Sequence, residues 1–174
     1  MSRNTTYDNI IINLKNKFTD PKSLSILDNM QKVYEAKDND YSSTGLPMGN
    51  LRKCEDAGID AWRGCIVRMG DKISRLENFV GNKEYLVAEK AEDTVIDLAN
   101  YSILTSCLLN ELNNSNLSKY YSEITQQAKK DLFNLSFHCV SQATVWKNDE
   151  KDLTHLHKVI NCWQPLCQYS LDMV

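Results

Sequence analysis

Six stretches of this chain repeat apolar residues at helical spacing, and almost nothing inside them would break a helix. That pattern constrains the fold more than any other feature, and it predicts an all-α protein. The 174 residues hold only three prolines and six glycines, far fewer punctuation points than a sheet with tight turns would use. The first segment, residues 7–18, carries Ile10, Ile11, Leu14 and Phe18. Thr19-Asp20-Pro21 ends it and opens a second helix to about Lys37, since proline is tolerated in a first turn. A third helix reads from about Ile59 to Val80, closed by Gly81-Asn82 in the manner of a left-handed cap. A fourth runs from about Lys83 to Leu112 and stops at Asn113-Asn114-Ser115-Asn116. Leu117 to about Val145 and Asp149 to about Met173 complete the set, with Pro165 expected to kink or shorten the last one. Between the second and third helices, DNDYSSTGLPMGNLRK (38–53) reads as a loop of a length usually kept for function or disorder.

Bulk properties exclude several classes. A net charge of −3 gives no basic surface for a nucleic-acid polymer. No apolar run approaches the ~20 residues of a membrane span, and MSRNTTYDN is too polar for a signal peptide. The expectation is a cytoplasmic protein, in the host cytoplasm if the chain is viral, with no membrane partner. Six cysteines are scattered singly among apolar residues without a CxxC pair, which suits small core hydrophobes better than a zinc site. His155 and His157 stand two apart and so point to different helix faces, and with His138 they read as surface or packing residues.

The polar signal lies in VAEKAEDTVIDLANY (87–101). Glu89, Asp93 and Asp97 recur every fourth residue, and Asn100 follows, on a helix otherwise filled with Val95, Ile96, Leu98 and Ala99. Like charges at that spacing repel, so something positive belongs beside them. The preceding helix supplies it: Arg68, Asp71, Lys72 and Arg75 in RMGDKISRL fall at i, i+3, i+4 and i+7. A short connection favours antiparallel neighbours. Oxygen ligands for a hard cation, flanked by cations for phosphate oxygens, are what a magnesium–phosphate site requires. The competing reading is a salt-bridged seam, with Asp71 and Asp93 paired to Arg68 and Arg75. A seam of that kind has no need of Asp97 and Asn100, which carry the polar line on into an apolar stretch.

NLRKCEDAGIDAWRGCIVRMGDKISRL (50–76), followed by VAEKAEDTVIDLANYSIL (87–104), resembles the nucleotide modification associated domain family common in phages. That family is in turn similar to the all-α MazG-like nucleoside triphosphate pyrophosphohydrolases. The resemblance covers about residues 25–112. It is carried by Asp40-Tyr41, Asn50, Cys54-Glu55, Gly58, Trp62, Gly64, Arg68, Asp71-Lys72, Arg75, Glu89, Asp93-Thr94, Asp97-Leu98 and Asn100-Tyr101. It implies a MazG-like helical bundle core, taken as 1–114; residues 115–174 fall outside the resemblance, and their apolar and aromatic content reads as an added C-terminal helical hairpin packed on the core or on a second subunit. It further implies Mg²⁺, with Mn²⁺ as an alternative, on Asp71, Glu89 and Asp93. MazG-like chains carry Glu-x-x-Glu on the first acidic helix; here that place reads Arg68-Met-Gly-Asp71, so Glu55 or Asp97 would fill the gap and the number of metals stays open. Glu92 falls on another face and reads as solvated.

The activity so implied is hydrolysis of a (deoxy)nucleoside triphosphate between the α and β phosphates. Asp97 or Glu55 would take the water's proton, Arg68, Lys72 and Arg75 would hold the leaving pyrophosphate, and Asn100, Tyr41 and Trp62 would contact the nucleotide. A homodimer or higher homo-oligomer is expected to enclose the pocket. The rival is a nucleotide-binding protein without turnover, such as a phage protein that sequesters a cyclic signal of host defence. The loop at 38–53 would either close over the ligand or serve as a connector packing Leu46 and Met48. Tyr120, Tyr121, Phe133, Phe137, Trp146, Trp163 and Tyr169 are expected to be buried in the core or at a subunit interface. Leu132, Leu135, Phe137, Leu153, Leu156, Ile160 and Trp163 likewise either complete the monomer's core or form an interface, the interface by a small margin.

Overall fold

The computed structural model of the protein describes residues 4–41, 48–81, 91–112 and 119–173. Seven α-helices and a 3-10 helix account for nearly all of them, with no strand among the described residues. No helix there is long and apolar enough to cross a membrane.

Helix α1 spans Thr5–Lys15 and begins where the Asn4 side chain accepts the Tyr7 amide at 3.1 Å. Pro21 is the first residue of α2, Pro21–Tyr41, and the Asp20 carboxylate accepts the Lys22 amide at 2.9 Å. This helix runs four residues past the expected Lys37. Its last turn is polar, and such a turn still closes its backbone bonds while leaving no apolar signal. Part of the expected loop is therefore helix. Another part is the 3-10 helix Leu51–Ala57, ended by Gly58 at φ 77°. Residues 42–47, including Leu46, lie outside the described residues.

Helix α3, Ala61–Val80, ends at Gly81, whose φ of −74° is right-handed rather than the expected left-handed cap. Helix α4 is described over Ala91–Leu112; its expected first residues, and the Asn113–Asn116 break, fall outside. Helix α5, Lys119–Lys147, closes on Asp149 at φ 56°, with the Glu150 amide reaching the Val145 carbonyl at 3.0 Å. That is a Schellman closure built on aspartate. The single last helix expected from Asp149 is two: α6, Thr154–Asn161, and α7, Trp163–Asp172. Asp152 accepts from the Thr154 amide and hydroxyl at 3.0 and 2.6 Å, which fixes the later start. Pro165 is the third residue of α7, where its missing N–H and its ring oppose continuation from α6.

Helix α4 is the axis. It packs on α1, α3 and α5, and twelve of its residues, from Thr94 to Leu109, are buried. Its hydroxyls turn back on the helix, Ser102 to the Leu98 carbonyl and Thr105 to that of Tyr101, both at 2.7 Å. Helices α6 and α7 cover α5 and α3. Leu132, Leu135, Leu156, Val159 and Leu166 are buried in the same hydrophobic cluster as Tyr7, Leu27, Met69 and Leu98. Phe137, Leu153, Ile160 and Trp163 pack against that cluster. Of the two places open to these apolar residues, core or subunit interface, they lie in or against the core of the single chain. Cys65, Cys107 and Cys139 are buried and free, as small core side chains. His138 and His155 are packing residues that share a hydrogen bond, Nδ1 to Nδ1, at 3.0 Å.

Candidate functional site

The polar line on α4 divides in the structure. Its C-terminal half, Asp97 and Asn100, lines a cleft of about 110 Å³ together with Tyr101 and Leu104. The facing wall comes from the end of α2, with Tyr34, Lys37 and Asp38, and from Met48, Asn50 and Leu51. Helical spacing explains the α4 wall: Asp97, Asn100, Tyr101 and Leu104 fall at i, i+3, i+4 and i+7.

Several of these side chains are held by bonds within the protein. Lys72 Nζ lies 3.0 Å from Asp97 Oδ2, with Asp97 about half exposed. Asp38 Oδ1 accepts the Met48 amide at 2.9 Å, supporting a residue at φ 61°. The Tyr7 hydroxyl, fully buried under the cleft, donates to Asn100 Oδ1 at 2.7 Å. Asn4 Nδ2 donates to the Tyr34 hydroxyl at 3.1 Å, and the Tyr7 and Tyr34 rings stack with centroids 4.0 Å apart. Burial raises both phenols, Tyr34 to about 12 and Tyr7 further.

The register of α3 on α4 decides which expected ligands share a level. Lys72 meets Asp97, and the Thr105 hydroxyl points to Met69 Sδ at 3.6 Å, so numbers fall along α3 as they rise along α4. The two helices are antiparallel, as expected. Asp71, next to Lys72, therefore lies at the level of Asp97, whereas Asp93 sits one turn away, about 6 Å along the axis. Asp71 and Asp93 are exposed, as are Arg68 and Arg75. Glu89 lies outside the described residues. Among the described residues no three His, Cys, Asp or Glu side chains converge as a metal site. The donors along this flank are nonetheless all oxygens, and Mg²⁺ takes one or two carboxylates and completes its shell with water and phosphate. The donor chemistry fits that ion.

The other expected residues sit elsewhere. Glu55 is exposed on the 3-10 helix, 3.8 Å from Arg52, which also bonds Glu111 at 2.6 Å. Trp62 is buried, and the Arg63 guanidinium covers one ring face at 4.3 Å, so no base can stack there as packed. Tyr41 ends α2, and its side chain is outside the described residues. Glu92, read as solvated, is largely buried and bonds Lys147 at 2.7 Å.

Sequence reasoning missed Tyr7, Tyr34, Lys37 and Asp38. Tyr34 falls among the apolar residues of the second segment, Lys37 at its expected end and Asp38 at the start of the expected loop. The available signal was that a tyrosine in an apolar stripe buries a hydroxyl, which needs a partner. Comparison of the chain with protein-family models, with curated proteins and with solved structures finds no match.

Proposed function

We propose that this protein is a Mg²⁺-dependent (deoxy)nucleoside triphosphate pyrophosphohydrolase, releasing a nucleoside monophosphate and pyrophosphate. The observation that carries the reading is the meeting of Asp97 and Asn100 with Lys37 and Asp38 around one phosphate-sized cleft, with Lys72 bonded to Asp97 from α3. The resemblance of residues 25–112 to the nucleotide modification associated domain and MazG-like chains points the same way.

In this reading Asp71 and Asp93, with Glu89, hold the cation, which when bound supplies charge neutralisation at the phosphates and a more acidic water. Asp97 orients and deprotonates the attacking water. Lys72 holds its Oδ2 and leaves the other oxygen for that contact. The water oxygen bonds to the α phosphorus, the bond from that phosphorus to the α–β bridging oxygen breaks, and pyrophosphate leaves with the bridging electrons. Lys72, Arg68 and Arg75 stand on the face where that negative charge collects.

A second reading, binding without turnover, draws on one observation: Asp97 is already engaged by Lys72. The same experiment separates the two. The full chain is incubated with a panel of nucleotides and Mg²⁺, and both pyrophosphate and tight unhydrolysed complexes are measured. Pyrophosphate release that disappears in Asp97→Asn, with the helical spectrum unchanged, is the expected result. Tight complexes that form without any release favour sequestration. Neither release nor binding across the panel overturns the proposal.

A further inference from the structure

The cleft is lined by hydrogen-bond donors that lack an acceptor. The Tyr7 hydroxyl lies 2.7 Å from Asn100 Oδ1 and 3.4 Å from the Met30 carbonyl. The shorter separation is normal for O–H···O and short for N–H···O, so the tyrosine donates and the carboxamide oxygen is turned toward α1. What Asn100 has left for the cleft is Nδ2, which has no partner among the described residues. The Tyr34 oxygen accepts from Asn4, so its own hydrogen is also free for the cleft. With this phenol raised to about 12, the hydrogen stays in place at neutral pH. Lys37 adds an exposed ammonium at the rim.

The acids facing these donors are partly spent, Asp38 on the Met48 amide and Asp97 on Lys72. Size narrows the ligand further. About 110 Å³ is well under the roughly 300 Å³ at which pockets begin to enclose a whole drug-sized molecule.

We infer that the cleft takes one phosphoryl-sized oxyanion, held by Asn100 Nδ2 and the Tyr34 hydroxyl beside the Lys37 charge, and that Tyr7 is the positioning residue that fixes Asn100 as a donor. The inference deepens the proposed function, and it rests on that reading for the nucleotide as carrier of the oxyanion. Asn100 is accordingly a contact to phosphate oxygen rather than a metal ligand. The free oxygens of Asp38 and Asp97 repel a bare anion, so binding strengthens when Mg²⁺ accompanies it.

Asn100's side-chain amide reports this directly in nitrogen-15 NMR of the full chain, assigned by its loss in Asn100→Asp. Orthophosphate and pyrophosphate, each with Mg²⁺, are expected to shift it saturably, and an uncharged nucleoside is not. Tyr7→Phe leaves the backbone spectrum away from α1 and α4 unchanged, yet weakens pyrophosphate about fivefold, the value of one neutral hydrogen bond. Asn100→Asp keeps an acceptor for Tyr7 but turns the cleft donor into a negative acceptor, and weakens pyrophosphate by about tenfold or more. An Asn100 amide unmoved at saturating anion overturns the inference, as does Tyr7→Phe or Asn100→Asp binding like the wild type. Nucleotide hydrolysis that persists beside an unmoved Asn100 removes this inference and leaves the proposed function standing. Anion-induced shifts in a protein that neither binds nor hydrolyses any nucleotide support the inference and remove the proposed function.

Discussion

Gln142 is the side chain whose replacement best tests how α6 and α7 are held. It is fully buried on α5, donates to the Asp152 carbonyl at 2.9 Å, and accepts the Leu156 amide at 2.9 Å. Leu156 is the third residue of α6, so its N–H has no carbonyl of its own helix to reach. The glutamine thus caps α6 from a neighbouring helix. Gln142→Leu keeps much of the volume and leaves both backbone groups unpaired, at about 1–3 kcal/mol each. Apolar burial of the leucine returns a share of that, which leaves about 3 kcal/mol. For a chain of this size that is a fall in Tm of about 6–12 °C. Circular dichroism melts measure it, and hydrogen exchange should show protection lost first in residues 154–172. A Tm within about one degree of the wild type, with α6 protection intact, would refute the assignment of Gln142 as the tie.

Three other perturbations follow from the packing. Burial, then His155 and Lys158, lowers His138, while burial and Lys158 lower His155 against the pull of Asp152. The unfolded chain therefore binds more protons than the folded one just below pH ~6.5, so stability is full above that value and is lost as pH falls toward the folded pKa values; urea midpoints at pH 7.5 and 5.5 should show the loss, and His138→Phe should shrink it. A Cβ on Gly64 would stand 2.7 Å from Cys54 Sγ, so Gly64→Ala should cost about 1–3 kcal/mol by overpacking, partly recovered by adding Cys54→Ala, in paired denaturation curves. Ending the chain after Asn114 uncovers the α4 face that α5 buries, and light scattering should find aggregates in place of a soluble species.

Helical periodicity made the architecture legible because α1, α3 and α5 carry their apolar residues on faces that meet a common core. It located α3 to within two residues and placed Lys72 opposite the acids of α4. It could not see the last turn of α2, from Asp38 on, which carries no apolar pattern, nor the split after Asn161. Pro165 gave warning of that split, but the start at Thr154 depends on Asp152 and Gln142, the latter a partner on another helix. The candidate site was legible on one wall only. Asp97 and Asn100 stood out because polar residues interrupted an apolar helix, whereas Tyr7 and Tyr34 announced themselves as core. Whether Asp71, Glu89 and Asp93 act together depends on a turn of register that spacing alone does not fix.

The enclosure of α4 makes the two walls of the cleft unequal partners. Asp97 and Asn100 stand on a helix gripped by three others, and interiors packed at crystal-like density yield little. Lys37, exposed, and Asp38, half-buried, stand near the end of α2. In the proposed reading, a phosphate oxygen that misses Asn100 by an ångström meets a wall that does not follow it, so discrimination rests on α4. The α2 side is where sequence change can retune grip without redrawing the mould.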